Sequence, residues 1–297
     1  MTTANSVSSS FKYLLKFVIP YNVVALWQQA KQSSHQPETW ETKKKELFAA
    51  GWLKELQQNS STDFSYSEAT NYLAGLDYPL ELNSDGSFAG ALPESSLNFC
   101  ASFIIDNFTG KPIIGLHVGN FVGISLTHLT NVVHKLHPES LIVSIDPNIQ
   151  HRNIKNPLNI VVGLLNKFGL QNNSLILTGY SLEADTYYEV NPKDTFDNNA
   201  MTSFFDKGFS GAQQLKGLEK ISPASFDFFL IDGNHEADYL KREIESADKL
   251  LKLGGFLILD DIYSFWPDLQ ETYQAIDETR YQKLGTDGRV GVLKKIF

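Results

Sequence analysis

The chain has one cysteine, Cys100, in 297 residues. That excludes an intramolecular disulfide and any zinc or iron–sulfur site built from several thiolates. Nothing in it calls for an oxidising compartment. Long apolar runs are also missing: no stretch reaches the roughly 18 residues that cross a bilayer. The most apolar N-terminal segment, 11–27, is interrupted by Lys12, Lys16, Pro20 and Asn22, with no basic segment before it. It reads as a helix packed on the domain, or as a peripheral membrane contact, rather than as a signal peptide. Positive charge is scarce too. Lys and Arg number 25 against 34 Asp and Glu, a net charge of −9. Nucleic-acid phosphates need clustered cations, so nucleic acid is not an expected partner, whereas a neutral or cationic small ligand suits this balance. Hydrophobic residues at 42% with charged residues at 20% predict a folded, cored protein, expected in the cytoplasm.

The pattern changes near residue 110. Before it, 11–30, 41–58 and 97–107 read as helices, 31–39 and 59–66 as loops, and 80–93 as turns around Asn83, Gly86 and Pro93. Residues 1–109 thus form a mainly helical region that helps to shape a substrate site. After 110, short apolar runs at 113–117, 141–145, 174–178, 226–231 and 256–259 alternate with helical stretches at 125–136 and 158–168. A third helix has Leu240, Ile244, Ala247 and Leu251 on one face and is expected to stop at Gly254-Gly255. Segments 281–284 and 290–294 read as a closing hairpin. Strands alternating with helices predict an α/β, doubly wound, Rossmann-like domain over 110–297: seven strands, mostly parallel, with a C-terminal antiparallel hairpin. Residues 182–224 are long for one connection and read as an insert or lid.

In such a sheet, ligands bind at the carboxyl ends of the strands. Polar residues gather there: Asp146, Ser181, Asp232, Asp260 and Asp261. Gly119 and Gly123 bracket a loop that is not G-x-G-x-x-G, so the nicotinamide fingerprint is absent. The loop allows close backbone approach to a ligand, or is simply a turn. Asp146, one step past the second strand, is placed to accept hydrogen bonds from ribose hydroxyls, or to form a turn before Pro147.

The ordered set Leu116-His117-Val118-Gly119-Asn120-Phe121-Val122-Gly123-Ile124-Ser125 resembles the first motif of class I S-adenosylmethionine-dependent methyltransferases. It is most similar to the metal-dependent catechol-type O-methyltransferases, whose loop reads E-x-G-x-x-x-G-x-S. Ile231-Asp232-Gly233-Asn234-His235, Leu253-Gly254-Gly255 and Leu259-Asp260-Asp261 resemble the sugar and macrolide O-methyltransferase branch. The resemblance spans 110–297 and implies S-adenosylmethionine as cofactor. It implies cofactor contacts at His117, Gly119, Gly123, Ser125, Asp146, Gly179, Tyr180, Ser181 and Asp232. The family carries an acid where this chain has His117. A neutral histidine can hydrogen-bond there without supplying a fixed negative charge; a core histidine with one satisfied nitrogen is the alternative.

Asp232, Asp260 and Asp261 come from adjacent strand ends. Converging carboxylates repel unless a proton or a cation lies between them, and oxygen-only ligands favour a hard ion such as magnesium. Their alternative is turn capping. His235 stands where the catechol-type family has its catalytic lysine, and an ordinary histidine pKa of about 6.5 suits proton removal near neutrality. Its alternative is a binding residue at a helix start. The expected activity is methyl transfer to a hydroxyl of a small molecule or sugar, with Asp232 and His235 catalytic. Tyr263 to Trp266 would border the acceptor. Two other functions stay open: an iron-dependent, hydroxylase-like enzyme using His235, Asp232 and Asp260, and an inactive cofactor-binding scaffold. A homo-oligomer is compatible with either.

Overall fold

The computed structural model describes residues 63–76, 81, 83, 87–149, 151, 152, 154, 157–182 and 213–297. The expected helices 11–30 and 41–58, the membrane contact through 11–27 and most of the 182–224 insert lie outside the described residues.

Seven strands form one sheet: β1 (Ile114–Val118), β2 (Leu141–Asp146), β3 (Ser174–Thr178), β4 (Phe226–Ile231), β5 (Leu251–Leu259), β6 (Tyr281–Thr286) and β7 (Gly291–Lys295). Their order is β3-β2-β1-β4-β5-β7-β6. The first five are parallel, and β7 pairs antiparallel with both β5 and β6. This is the expected Rossmann-like arrangement. The order reverses between β1 and β4, and the crevice at their carboxyl ends is where doubly wound folds bind ligands.

The helices are α1 (Tyr66–Ala74), α2 (Glu94–Asn107), α3 (Ile124–Leu136), α4 (Pro157–Lys167), α5 (Gln214–Ile221), α6 (Ala237–Leu250) and α7 (Pro267–Gln274). Strand side chains alternate between the two faces of a sheet. In β5, Phe256 and Ile258 enter one core with Leu73, Leu97, Cys100, Leu126 and Leu164 of α1 to α4. Leu257 and Leu259 enter the other with Leu215, Leu240, Ala247 and Tyr273 of α5 to α7. Each of β4's six residues is buried, as burial on both faces of a central strand requires. Helices α1 and α2 therefore belong to the core of the sheet domain. No described helix is long and apolar enough to cross a membrane.

Two local expectations are corrected. Gly254-Gly255 does not stop α6. The helix ends at Leu250, Leu251 is already extended, and β5 runs through both glycines. Its register against β4 shifts between Phe226 and Phe228. A Cβ on Gly255 would lie 2.9 Å from the Lys252 carbonyl oxygen and 3.0 Å from that of Asp227. The glycine thus serves a bulge rather than a helix end. The loop expected over 59–66 ends earlier, because Ser65 caps α1: its hydroxyl accepts from the Glu68 N–H at 3.4 Å. Ser65 and Glu68 have the Ser-x-x-Glu spacing of a helix start.

Candidate active site

Chain direction builds the site at the β1–β4 crevice. After β1 the backbone turns at Gly119 (φ +90°) and Gly123 (φ +84°), and Gly123 caps α3. A Cβ on Gly119 would lie 1.8 Å from the Asp232 carbonyl oxygen. Only glycine lets the β1 and β4 loops approach this closely. Asp146, at the end of β2, holds the same loop. Its Oδ2 accepts from the N–H groups of Asn120 (2.5 Å) and Phe121 (3.4 Å), and its Oδ1 from that of Asn148 (2.6 Å). Burial raises the Asp146 pKa against the lowering effect of these donors. The buried Asn120 Nδ2 lacks a hydrogen-bond partner among the described residues.

Across the crevice, Asp232 follows β4 while Asp260 and Asp261 follow β5. An oxygen from each lies within 4.8 Å of the others. Arg289, at the start of the run into β7, grips Asp260 with two hydrogen bonds: Nε to Oδ1 and Nη2 to Oδ2, both 2.8 Å. The same Nη2 lies 3.3 Å from Asp261 Oδ1. Asp261 Oδ2 pairs with His235 Nε2 at 2.8 Å. An ionised carboxylate only accepts, so Nε2 is the donor, and in the neutral imidazole Nδ1 has the lone pair. The imidazole lies flat on Trp266, centroids 4.4 Å apart and planes 8° from parallel. Asp261 adopts φ +57°, a left-handed conformation that aspartate tolerates better than most residues. A small pocket opens onto Asp232, His235, Asp260 and Asp261.

Residues 116–262 match a family model described as a methyltransferase domain. This stretch is an S-adenosylmethionine-dependent methyltransferase domain. Among solved structures it is similar to an O-methyltransferase from Bacillus cereus in complex with SAH. That match has 14% identity, covers 84% of this chain and 97% of that one, and has a TM-score of 0.51. It is also similar to an SAH-bound methyltransferase of Podospora anserina, at 13% identity, 89% and 100% coverage and a TM-score of 0.50. At those identities the likeness concerns the fold. No curated protein sequence matches the chain.

Within this methyltransferase, the structure brings Gly119, Gly123, Asp146 and Asp232 together around the crevice, and His235 to the three-aspartate cluster. His117 lies beneath the loop in β1, fully buried, with Nε2 3.0 Å from Ser125 Oγ. Burial pushes its pKa down to about 4, so it is neutral. Gly179 adjoins Asp146 through its N–H to the Asp146 carbonyl, 3.0 Å. Tyr180 is buried and bridges to Gln213, which brings the chain back beside β3 after the insert. The Ser181 hydroxyl is buried against the Tyr239 hydroxyl (3.1 Å) and Glu243 Oε1 (2.5 Å) of α6.

The residue that sequence reading missed is Arg289. One arginine after an Asp-Gly turn carries no motif; only the hairpin's return alongside β5 puts it on the acids. Its presence bears on the expected magnesium. A hard ion needs oxygen lone pairs from several carboxylates, yet both oxygens of Asp260 and both of Asp261 already face Arg289 or His235. As arranged, the donor set does not fit a divalent ion.

One cation does not balance three acids. Burial, followed by the charges of Asp260 and Asp261, raises the Asp232 pKa well above the ordinary carboxylate range. A raised folded pKa contributes stability that is complete below the unfolded value of about 4 and lost as pH rises through the folded value. Asp232→Asn, neutral at every pH, is therefore expected to raise the melting temperature at pH 8 and to change it little at pH 4. Scanning calorimetry at the two pH values reads the difference. An equal shift at both would point to packing instead of charge.

Proposed function

We propose that this methyltransferase transfers a methyl group from S-adenosylmethionine to a hydroxyl oxygen of a small molecule or sugar, and that it acts in the cytoplasm. The observation that carries the proposal is the His235–Asp261 pair beside the glycine crevice: a base held in one tautomer next to a cofactor-type loop. The two SAH-bound relatives support the cofactor. So does the buried Asn120 Nδ2 in the loop, which has no hydrogen-bond partner among the described residues. Gly119, Gly123, Asn120 and Asp146 would hold the cofactor.

Bound there, S-adenosylmethionine would supply an electrophilic sulfonium methyl, its S–C bond breaking as the acceptor's O–C bond forms, with the electron pair left on sulfur. His235 Nδ1 takes the hydroxyl proton, and Asp261 balances the imidazolium that results. Trp266 fixes the ring plane, which limits the orientations the base samples. Because the donor set does not fit magnesium, no step runs through a metal. The same contacts disfavour the iron-dependent alternative, since Asp260 and His235 are already engaged by Arg289 and Asp261.

Calorimetric titration of the full chain with S-adenosylmethionine and S-adenosylhomocysteine tests the reading. Saturable binding near micromolar, about −8 kcal/mol, is expected, followed by methylation of a member of a panel of hydroxylated acceptors. Absence of binding for both compounds would overturn the proposal.

A further inference from the structure

We propose that Arg289 is a built-in counter-cation and positioning residue: its guanidinium takes the place between Asp260 and Asp261 that a divalent ion would need, and so excludes the ion. The acids of this site are then held by the chain itself, and Asp261 is fixed so that it can orient His235. The catalytic consequence rests on the proposed methyl transfer; the exclusion of the ion does not.

The geometry is built from both sides. The Asp287 carboxylate accepts from the N–H groups of Arg289 (2.9 Å) and Val290 (2.7 Å), which sets the turn after β6. The Arg289 carbonyl accepts from the Ile262 N–H at 2.9 Å, directly after the acids. The backbone of the arginine is thus tied to the segment it neutralises. The side chain then reaches Asp260 through a planar two-point fork, which suits a carboxylate and which lysine does not reproduce. The Asp260 side chain is 1% exposed and that of Arg289 26%. The pair is therefore shielded from solvent on the acid's side, where screening is weakest. The second contact, to Asp261, continues to His235, giving the connected series Arg289, Asp261, His235 and Trp266. A divalent ion ligated by Asp260 and Asp261 would lie against the positive guanidinium. It would also compete for the same lone pairs.

Manganese(II) is the probe, because its spin-resonance signal reads bound against free ion directly. Full-length wild type, Arg289→Met and Arg289→Lys are titrated after a check of folding by circular dichroism. The wild type is expected to show no saturable site at millimolar ion. Arg289→Met is expected to gain one, at least tenfold tighter than any wild-type binding, and a further Asp260→Asn change is expected to remove it. Arg289→Lys keeps the charge and serves if the methionine variant does not fold; a gain of at least threefold over wild type is expected. Micromolar binding to wild type that Asp260→Asn abolishes would overturn the proposal. So would equal manganese affinity in wild type and the folded Arg289 variants. Titration of the same proteins with S-adenosylhomocysteine reports separately on the methyltransferase reading, so failure of one is distinguishable from failure of the other.

Discussion

Gly119→Ala is expected to cost about 4 kcal/mol or more of folding stability, and with it cofactor binding. Two penalties combine. The backbone is at φ +90°, which costs an L-residue about 1–2 kcal/mol. The added Cβ would also meet the Asp232 carbonyl oxygen at 1.8 Å, and that neighbour is backbone, not a side chain able to turn aside. Relief requires the ends of β1 and β4 to part, although the Asp232 N–H donates to the Val118 carbonyl at 2.9 Å. Gly288→Ala separates the two terms: Gly288 has φ +97° and nothing within 4 Å of an added Cβ, so only the conformational cost is expected. Urea denaturation of both variants checks the difference. Equal losses would mean that the close approach of the two loops contributes nothing.

His235→Ala is expected to lower turnover by about 10²- to 10⁴-fold, the usual worth of a positioned general base. Affinity for S-adenosylhomocysteine is expected to change less than threefold. Among the described residues the imidazole has a hydrogen bond to Asp261 and a flat contact with Trp266, and no hydrogen bond to the glycine loop that would bind the cofactor. His235→Gln keeps a polar side chain but has no comparable basic nitrogen, so it is expected to be as slow as the alanine variant. Single-turnover rates beside calorimetric affinities separate chemistry from binding. Equal loss of affinity and rate would assign His235 to cofactor binding; an unchanged rate would remove it as the base.

The sheet was legible because its signals are local. The runs that became β1 to β5 are short, apolar and bounded by Gly or Asp, and their alternation with helical periods leaves few topologies. The run expected at 174–178 is β3 and that at 226–231 is β4, residue for residue. The glycine pair at 254–255 misled for a physical reason: a helix stop and a β-bulge both require a residue without a side chain, and the sequence does not distinguish them. The start of α1 at Ser65 had a local signal, the cap spacing to Glu68, hidden in a polar stretch.

The candidate site divides in the same way. The sequence by itself determined which acids stand at the strand ends, because strand ends follow from periodicity and aspartates are placed by counting. It also determined that Asp232, Asp260 and Asp261 would crowd, since adjacent parallel strands lie about 5 Å apart. What neutralises them was decided only in three dimensions. Arg289 is 28 residues beyond Asp261 and carries no motif. It reaches the acids because β7 runs antiparallel beside β5, with Gly291 opposite Leu259. The Asp146 contacts to the loop and the stacking of His235 on Trp266 are likewise products of strand order and helix packing. Periodicity reports which residues face a core or an edge; the partners of a charged side chain depend on which distant segment returns to it, and that is a property of the folded chain.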